Sequence, residues 1–488
     1  MSPAAVFPKR LARYILVLCV LSLLAMNLYI SHSARQNGTF ASGNKSKGSE
    51  DKDDPSSSGS MNGGVWAENG LLGTPAFINV PETEVLSDEE ISQIAKEIET
   101  LNDAQTIYNL DKFGPVGPGT FVIVIQVHSR VEYLSLLVES LSRVPQIDNC
   151  LVIFSHDLFN PGLNEAIQSI DFTRVMQIFY PFSIQLNPHR FPGESPDDCP
   201  RDMPVAKAQA ANCRNAQHPD VHGHFREASY TQPKHHWWWK ANFIFGGINV
   251  LRNYTGVVAF LEEDHYVTPD FLWVLNLLET AMIRNSCKEC NLIALGTYLK
   301  TWNIRSAHNQ LPLILRPISY LYPIHMVSTW MKHNAAQGVV TNWVTGKHNM
   351  GMAFNRSMWE SVRDCSKKFC NYDDYNWDWT LLSVSDTCLK SPLQVYYPKA
   401  PRIFHIGDCG VHHKKANCDP ASSAQAIDKG VKTHQALLFP DKLGVQVSHG
   451  KKIRLKQGNG GWGDIRDRQL CLAFSTINSS KPLAIRIS

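Results

Sequence analysis

The sequence has no excess of charge of either sign. Its 488 residues include 47 lysines and arginines and 44 aspartates and glutamates, for a formal net charge of +3. Because such a chain has no long-range field to attract a phosphate backbone, nucleic-acid binding is not expected. The sequence also has no internal repeat at a fixed period, so a repeat architecture is not expected either.

Long apolar runs are scarce as well. Residues 14–30 carry no charge and approach the roughly 20 residues that a membrane-spanning helix needs. A basic flank at residues 9–13 precedes this run, which predicts that the flank is cytosolic and the rest of the chain lumenal. A cleaved secretory signal is the alternative, but the sequence after the run matches a small-residue cleavage site poorly. The apolar stretch at residues 311–326 contains Arg316 and three prolines, which indicates a loop rather than a second span.

The composition is that of a globular protein with a polar segment near its start. Hydrophobic residues make up 43% and aromatic residues 10% of the chain, so at least one large folded domain is expected. Residues 31–73 are rich in Ser, Gly, Asn, Lys and Asp and predict a flexible stem. Ser87 and Glu90 form a capping-box pattern that predicts an amphipathic helix near residues 88–102, packed either on the folded body or on a partner. The predicted organisation is a cytoplasmic tail (1–13), a transmembrane signal anchor (14–30), a lumenal stem (31–115) and a lumenal folded domain (116–488).

From residue 121 onward, short β-rich apolar runs alternate with helical patterns. This alternation predicts an α/β domain with a largely parallel sheet. Ligands of open α/β sheets bind beyond the carboxyl ends of the strands, so the polar residues that follow these runs are candidates for a site. They are QVHSR (126–130), SHD (155–157), EEDH (262–265) and GTY (296–298).

The acidic group in EEDH suits a hard divalent cation that binds oxygen ligands and a diphosphate. Because side chains alternate along a strand, Glu262 and Asp264 are expected on one face and Glu263 on the other. Two anions on one face need a counter-charge. The alternative is a solvated acidic turn without a ligand.

Two further stretches combine acids or histidines with aromatic residues. NYDDYNWDW (371–379) surrounds its aspartates with aromatic rings, whose low polarity raises a carboxyl pKa and suits it to general-base work. Structural acids bonded to backbone are the alternative. RIFHIGDCGVHHKK (402–415) places His405 behind a short apolar run. A zinc site of Cys409, His412, His413 and Cys418 is one interpretation of that stretch, and a Cys409–Cys418 disulfide is the one favoured in an oxidising lumen.

The run KHHWWWK (234–240) brings aromatic faces, which stack on sugar and base rings, next to cations that could hold phosphate. Three consecutive tryptophans cannot share one face of a regular structure, so at least one is expected in the core.

Eleven cysteines follow the apolar run at residues 14–30, and this odd number predicts one that stays free or pairs between chains. Asn-X-Ser/Thr sites, meaningful in a secretory lumen, occur at Asn37, Asn44, Asn253, Asn355 and Asn478.

Taken in order, nine motifs across about residues 117–471 resemble the Golgi N-acetylglucosaminyltransferase II family. They are QVHSR, SHD, TQPKHHWWWK, FLEEDHY, GTY, KHNMGMAF, YDDYNWDW, PRIFHIGDCG and GGWGDIRD. The resemblance implies a GT-A type glycosyltransferase fold, a Rossmann-like nucleotide-binding sheet with an acceptor-binding half, and makes residues 116–488 a catalytic domain. It further implies a single-pass type II protein of the Golgi membrane.

The activity that the resemblance implies is transfer of N-acetylglucosamine from UDP-GlcNAc to the 2-hydroxyl of the α-1,6-linked mannose of an N-glycan, with inversion. By similarity, Asp264 and His405 would ligate Mn²⁺ and Asp378 would be the base. Glu262 would be a second catalytic residue, and it would serve acceptor recognition together with Arg201 and Asp220. The implied donor-site residues are Gln126, Val127, His128, Ser129, Arg130, Asp157, Gln232, Pro233, Lys234, His235 and His236.

The cysteine positions also match the family, and Cys150 is left unpaired. The implied disulfides are Cys199–Cys213, Cys287–Cys290, Cys365–Cys388, Cys370–Cys471 and Cys409–Cys418. The chain departs from the family between residues 298 and 347, where the family loop is shorter and more polar, so a lineage-specific loop or a gene-model error is expected there.

Two other functions are open at this point: a catalytically silent glycan-binding protein on the same scaffold, and a β-1,2-N-acetylglucosaminyltransferase for the other mannose arm. Retention of Asp264, His405 and Asp378 together favours an active enzyme, because a binding protein needs no base beside a metal. A homodimer is a further expectation.

Overall fold

The computed structural model describes residues 86–284, 287, 289–296, 336–407, 419–448, 455 and 457–478. The predicted anchor, the stem up to residue 85, the apolar stretch 311–326 and the predicted Cys409–Cys418 pair lie outside the described residues. Within the described part, no helix combines the length and the apolar character needed to cross a bilayer.

A ten-stranded mixed sheet forms the centre of the described body. Across both of its sheets, the described part of the chain has twelve strands. They are β1 (Ile107–Tyr108), β2 (Phe121–Val127), β3 (Cys150–His156), β4 (Arg174–Phe179), β5 (Val258–Glu262), β6 (His265–Val267), β7 (Leu292–Ala294), β8 (Gln337–Asn342), β9 (Met352–Phe354), β10 (Gln394–Pro398), β11 (Ile403–His405) and β12 (Gly444–Val447). The order across the large sheet is β1-β4-β3-β2-β5-β9-β7-β10-β8-β12, and β11 and β6 form a separate two-stranded sheet.

Helices cover the sheet. They are α1 (Asp88–Ala104), α2 (Leu110–Phe113), α3 (Val131–Ser142), α4 (Pro161–Gln168), α5 (Val205–Ala211), α6 (Ala228–Asn242), α7 (Phe271–Ile283), α8 (Arg356–Asp364), α9 (Ser366–Asn371), α10 (Trp377–Thr387), α11 (Pro420–Thr433) and α12 (Ile465–Phe474). One apolar cluster lies between the sheet and α6, α8 and α12, and a second lies between the sheet and α3 and α7.

The prediction of a largely parallel sheet is correct for only part of it. Strands β4, β3, β2 and β5 are parallel neighbours. Beyond β5, however, β9 runs antiparallel to both β5 and β7, and β10 runs antiparallel to β8. An apolar run indicates that a strand is buried on both faces of the sheet. It does not indicate whether the strand runs parallel or antiparallel to its neighbours, because that depends on pairing between distant segments.

Helix α1 begins with the capping box that the sequence predicts. The Ser87 backbone N–H donates to Glu90 Oε2 over 2.8 Å, and the Glu90 N–H donates to Ser87 Oγ over 3.3 Å. These two bonds satisfy donors that an uncapped helix start leaves open.

The same helix packs on the folded body rather than standing apart in the stem. Ile91 and Ile98 are buried in a cluster with Phe179 of β4. The Asn102 side chain both donates to the Phe179 carbonyl over 2.7 Å and accepts from its N–H over 2.8 Å. Together with β1, which pairs with β4, this part of the predicted stem is an integral layer of the body.

Four disulfides lie among the described residues, and Cys150 is a buried free thiol. They are Cys199–Cys213, Cys287–Cys290, Cys365–Cys388 and Cys370–Cys471, the same pairs that the resemblance implies. The last of them ties α9 to α12 across a sequence separation of 101 residues.

Candidate active site

The parallel strands bring three of the polar motifs to one edge of the sheet. Gln126 at the end of β2 is in register with Ser155 of β3 on one side and with Glu262 of β5 on the other. Because parallel strands end at the same edge, the side chains that follow them meet there. Val127 itself is buried in the core and contributes no side chain to this edge.

The acidic motif forms a turn and not a continued strand. Strand β5 ends at Glu262, Glu263 and Asp264 form the turn, and the Glu263 N–H donates to the Gln126 carbonyl over 3.0 Å. Arg130 therefore reaches both turn residues, with Nε 2.8 Å from Glu263 Oε1 and Nη1 2.8 Å from Asp264 Oδ2. The expectation that a continued strand separates Glu263 from Asp264 is wrong for this reason, whereas Glu262 and Asp264 do lie together as predicted, with ligand atoms within 4.8 Å of each other. Arg130 is the counter-charge that the acids require.

Glu263 anchors the loop that follows β2. Besides Arg130, its carboxylate accepts the His128 backbone N–H over 2.7 Å. Burial raises the pKa of Glu263, and the charge of Arg130 opposes that rise. Glu263 is almost fully buried and faces away from solvent, so its role is to hold the 128–130 loop in place.

Asp264 is paired with His405, which β11 places beside it. His405 and His265 are in register across the two-stranded sheet, and His405 Nε2 lies 3.0 Å from Asp264 Oδ2. Burial alone would raise the pKa of Asp264, but the His405 hydrogen bond and the Arg130 charge hold it below its usual range. Conversely, burial would lower the pKa of His405, and the bond to Asp264 raises it.

The donor atoms at this turn fit a divalent cation. One ligand atom each from Glu262, Asp264 and His265 lies within 4.8 Å of the other two. Asp264 Oδ1 is buried and has no hydrogen-bond partner among the described residues. A Cβ at Gly407 would lie 2.2 Å from Asp264 Oδ2, so glycine leaves the space beside this carboxylate open. Carboxylate oxygens and imidazole nitrogens are ligands that Mn²⁺ accepts.

Asp157 joins the loop after β2 to helix α6. Its carboxylate lies 2.6 Å from His128 Nδ1, accepts from Gln232 Nε2 over 3.2 Å and lies 3.4 Å from His236 Nδ1. Burial would raise the pKa of Asp157, but the neighbouring histidines hold it well below its usual range. His236 Nε2 also lies 2.8 Å from Ser155 Oγ.

Helix α6 divides the implied donor-site residues 232–236 between two of its faces. Gln232 and His236 are four residues apart and face the strand ends, as described above. Lys234 instead donates to the Asp374 carbonyl over 2.8 Å, and His235 Nε2 lies 2.9 Å from Asp467 Oδ1 of α12. Pro233 lies inside the helix. The structure thus brings two of the five residues to the strand ends, where they contact Asp157 and Ser155.

All three consecutive tryptophans are buried. Trp237 stacks on Trp377, with ring centroids 4.3 Å apart, and Trp238 stacks on Phe369 at 4.1 Å. Trp239 stacks on Phe243 at 5.0 Å. The expectation that at least one belongs to the core is confirmed, and the run serves packing more than ligand stacking.

Asp378 lies in the first turn of α10 and is held by donors from the 345–349 loop. Its Oδ2 accepts from Thr345 Oγ1 and from Asn349 Nδ2, the latter over 3.0 Å. Burial raises the pKa of Asp378, and the Thr345 hydrogen bond opposes that rise. The two other aspartates of the motif bond backbone groups: Asp373 accepts the Trp462 N–H over 3.0 Å, and Asp374 accepts the Asn459 N–H over 3.0 Å.

A small cavity connects the acidic turn with the surroundings of Asp378. Glu262 and His265 line it from the turn, Asn349 and Trp377 from the side of Asp378, and Lys240 from α6. Burial and the nearby Asp264 charge both raise the pKa of Glu262. The cavity therefore lies between the acidic turn and Asn349, the residue that hydrogen-bonds Asp378.

Arg201 and Asp220 lie at a separate cavity, which Tyr230 and Tyr375 also line. Arg201 is half-exposed, with its guanidinium 3.5 Å from Glu227. The Asp220 carboxylate accepts the N–H groups of His222 and His224, each over 2.8 Å, and that of Gly461 over 2.6 Å. Asp220 therefore shapes this cavity through the backbone that it holds.

Comparison with known protein families identifies the scaffold. The family model of N-acetylglucosaminyltransferase II matches residues 95–315 and 324–471, which together include every element of the site. The chain belongs to the N-acetylglucosaminyltransferase II family. Membership makes it a glycosyltransferase, and the large mixed sheet is the α/β body of that enzyme.

Curated relatives agree with this placement. An α-1,6-mannosyl-glycoprotein 2-β-N-acetylglucosaminyltransferase of Sus scrofa is 40% identical over 82% of this chain and 83% of its own. The Rattus norvegicus protein of the same name is 42% identical over 82% of this chain and 84% of its own, and the one from Arabidopsis thaliana is 31% identical over 76% and 78%.

Among solved structures, the mannosyltransferase PcManGT from Pyrobaculum calidifontis in complex with GDP-Man and Mn²⁺ covers 64% of this chain and 68% of that chain. Its sequence identity is 8% and its TM-score 0.25, and so low a score carries no argument.

The family match leaves out residues 316–323, inside the apolar stretch that departs from the family pattern.

Three contributors to the site were not named individually from the sequence, although Lys240 and Asn349 lie within the KHHWWWK and KHNMGMAF motifs. Lys240 could have been found because it continues the spacing of four from Gln232 and His236 along α6. Thr345 and Asn349 carry no such signal, since their loop approaches Asp378 only through tertiary packing.

Proposed function

We propose that this enzyme transfers N-acetylglucosamine from UDP-GlcNAc to the 2-hydroxyl of the α-1,6-linked mannose of an N-glycan, with inversion, on a GT-A type fold. The names of the curated relatives support the reaction. The structural observation that carries it is Asp264 Oδ1, a buried carboxylate oxygen without a partner among the described residues, at the ends of parallel strands.

Mn²⁺ is the proposed cofactor, with Asp264 and His405 as its ligands and Glu262 and His265 close by. A divalent cation there supplies positive charge that compensates the diphosphate of the leaving group. Arg130 contacts Asp264 and, with His405, favours its ionised form.

The donor is proposed to bind along the strand ends. His128, Ser129 and Arg130 in the loop after β2, with Gln126 at the strand end, would face the nucleoside. Asp157, fixed by His128, Gln232 and His236, would hold the ribose through its carboxylate. These contacts orient UDP-GlcNAc so that its sugar carbon points toward Asp378 across the small cavity.

Asp378 is proposed to be the general base. Its carboxylate takes the proton from the mannose 2-hydroxyl while that oxygen forms a bond to the sugar carbon C1. The C1–oxygen bond to the diphosphate breaks, and its electron pair leaves with UDP. Attack opposite the departing bond inverts C1. Because burial raises the pKa of Asp378, its carboxylate accepts a proton more readily than an exposed one does.

The acceptor glycan is proposed to extend from Asp378 toward Arg201 and the cavity that Asp220 shapes. We further propose that residues 14–30 anchor the enzyme in the Golgi membrane as a single-pass type II protein. The N-glycans of glycoproteins that pass through the lumen are then its substrates, and association of two copies is an additional proposal.

The test incubates the lumenal fragment with UDP-GlcNAc and a glycan already extended on its α-1,3 arm, with manganese present or chelated. Product mass and linkage are read. The proposal predicts one β-1,2-linked sugar on the α-1,6 arm, lost on chelation. Sugar on the other arm would favour the related transferase, and glycan binding without transfer would favour a silent binding protein.

Asp378→Asn tests the base in the same assay. Its kcat is expected to fall by roughly 10²–10⁴-fold, because the amide cannot accept the proton. UDP affinity should be unchanged, since Asp378 does not touch the strand ends. Asp386→Asn, at the far end of the same helix, is the matched control and should keep wild-type turnover. Equal turnover by Asp378→Asn and wild type would remove Asp378 from this role.

A further inference from the structure

A buried lysine lies at the strand ends, and the sequence names it only as one of the cations beside the tryptophan run that could hold phosphate. Lys240 is in the last turn of α6 and is 1% exposed. Its Nζ donates to Gln126 Oε1 over 2.6 Å. It lines the small cavity together with Glu262 and His265.

This contact decides which way the Gln126 amide points. An ammonium group has only donors, so it must meet the amide oxygen of Gln126 and not the amide nitrogen. The Nε2 group then faces away from Lys240, and no described residue accepts a hydrogen bond from it. Gln126 stands at the strand end between Ser155 and Glu262. Its two N–H donors are thus offered where a ligand would lie.

The helix itself supports the same role. Gln232, His236 and Lys240 recur every four residues on one face of α6, and each contacts a residue at the strand ends. Gln232 and His236 orient Asp157, and Lys240 orients Gln126. The face acts as one rigid support for two polar side chains of adjacent strands.

We propose that Lys240 is a positioning residue of the donor site, which fixes the Gln126 amide so that its Nε2 hydrogens are presented to an acceptor oxygen of a nucleoside diphosphate. The inference rests on the proposed function, because a nucleoside diphosphate must occupy these strand ends. It assigns Lys240 no contact with the ligand and no part in proton transfer.

The alternative is that Lys240 only neutralises Glu262 or fills the core. A double-mutant cycle separates the two. If Lys240 acts through Gln126, its removal has no further effect once Gln126 has lost its amide. If it acts through charge or packing, the two effects multiply.

The experiment measures UDP affinity by titration calorimetry with Mn²⁺ present, for the wild type, Lys240→Met, Gln126→Met and the double variant. Each single variant is expected to bind UDP roughly tenfold more weakly, the loss of one oriented hydrogen bond to the ligand. The double variant is expected to bind no more weakly than Gln126→Met. Asn242→Ala is the control. It removes a buried hydrogen bond from the same helix end, to the Trp238 carbonyl, and should lower the thermal midpoint with UDP affinity unchanged.

Unchanged affinity in Lys240→Met, or a roughly hundredfold loss in the double variant, would overturn the inference while leaving the proposed function in place. A wild-type protein that binds no UDP would overturn both. If Lys240→Met does not fold, a crystal structure of the wild type with UDP and Mn²⁺ decides. Gln126 Nε2 within hydrogen-bond distance of a nucleotide oxygen supports the inference, and a Gln126 amide that touches no nucleotide atom contradicts it.

Discussion

Arg130 gives the acidic turn its stability. Three carboxylates in sequence are tolerated near the core because the Arg130 guanidinium contacts both Glu263 and Asp264. The two acids differ in consequence: Glu263 is saturated by Arg130 and the His128 N–H, whereas Asp264 keeps one oxygen without a described partner. One carboxylate thus builds the turn, and the next is left available for a ligand.

Asp467, a buried carboxylate outside this turn, is one of the groups that contribute to the response to acid, together with Asp157 and Asp264. Asp467 of α12 is fully buried, with Arg226 Nε 3.0 Å and His235 Nε2 2.9 Å from its carboxylate. Burial would raise the pKa of Asp467, but Arg226 and His235 outweigh it and hold the pKa below its usual range. A lowered folded-state pKa contributes stability above the unfolded value, which is lost as the pH falls below it.

We therefore expect the free energy of unfolding to drop as the pH is lowered from about 5 toward the acid range, since unfolded aspartate titrates near 4. Asp467 contributes at most about 1.4 kcal/mol per pH unit to that slope. Urea unfolding at several pH values, compared with Asp467→Asn, checks this. The variant should be less stable at neutral pH and show a shallower slope, and a slope equal to that of the wild type would contradict the assignment.

At the scale of elements, α6 connects the residues at the strand ends with helix α12. One face orients Asp157 and Gln126, and the other reaches α12 through His235 and through Trp238, whose Nε1 donates to the Cys471 carbonyl over 3.0 Å. Because Cys471 is itself joined to Cys370, helices α6, α9 and α12 form one braced unit beneath the strand ends. A change that destabilises α12 is therefore expected to displace α6 and, with it, Asp157 and Gln126 at the proposed donor site.

The Cys370–Cys471 disulfide should stabilise the fold most among those described. It closes a separation of 101 residues, against 3 for Cys287–Cys290. Loss of the long loop constraint is expected to lower the free energy of unfolding by roughly 4–5 kcal/mol, and loss of the short one by less than half of that. Denaturant unfolding of the two double Cys→Ser variants measures both. Equal losses would contradict the prediction.

Which elements the sequence can predict follows from the range of the interactions that form them. The capping box at Ser87 and the strands β2, β3 and β5 depend on local pattern, and both were predicted. The turn at Glu263 was not predicted. Strand β5 ends there because Gln126 pairs with Glu262 and Arg130 forms an ion pair with Glu263, and both contacts join segments that are distant in the sequence. The antiparallel insertion of β9 between β5 and β7 is likewise set by distant pairing.

At the scale of the whole molecule, the folded body begins earlier than composition indicates. Helix α1 and β1 precede residue 116, where the sequence places the start of the folded domain, yet they cover β4 at the edge of the sheet. Composition does not reveal this earlier start of the folded body, because a short amphipathic helix after a polar stretch has too few apolar residues to alter the local composition. Polar motifs at Gln126, Ser155 and Glu262 do meet at one edge of the sheet, because parallel strands end there, but their roles in the reaction stay predictions.

A chain that starts at residue 116 should therefore be less stable than one that starts at residue 86. It loses the buried Ile91 and Ile98 side chains, each contributing about 1.5–3 kcal/mol, and the paired hydrogen bonds of Asn102. We expect its free energy of unfolding to be lower by at least about 3 kcal/mol. Denaturant unfolding of the two chains checks this, and equal stability would mean that α1 adds nothing to the body.

Binding of Mn²⁺ with UDP present, followed by electron paramagnetic resonance on a purified chain that starts at residue 86, tests the proposed metal site most directly. The wild type should bind one ion per chain. Asp264→Ala should bind none, whereas Asp171→Asn, an exposed acid paired with Lys112, should bind as the wild type does. Saturable Mn²⁺ binding by Asp264→Ala at wild-type affinity would contradict the account.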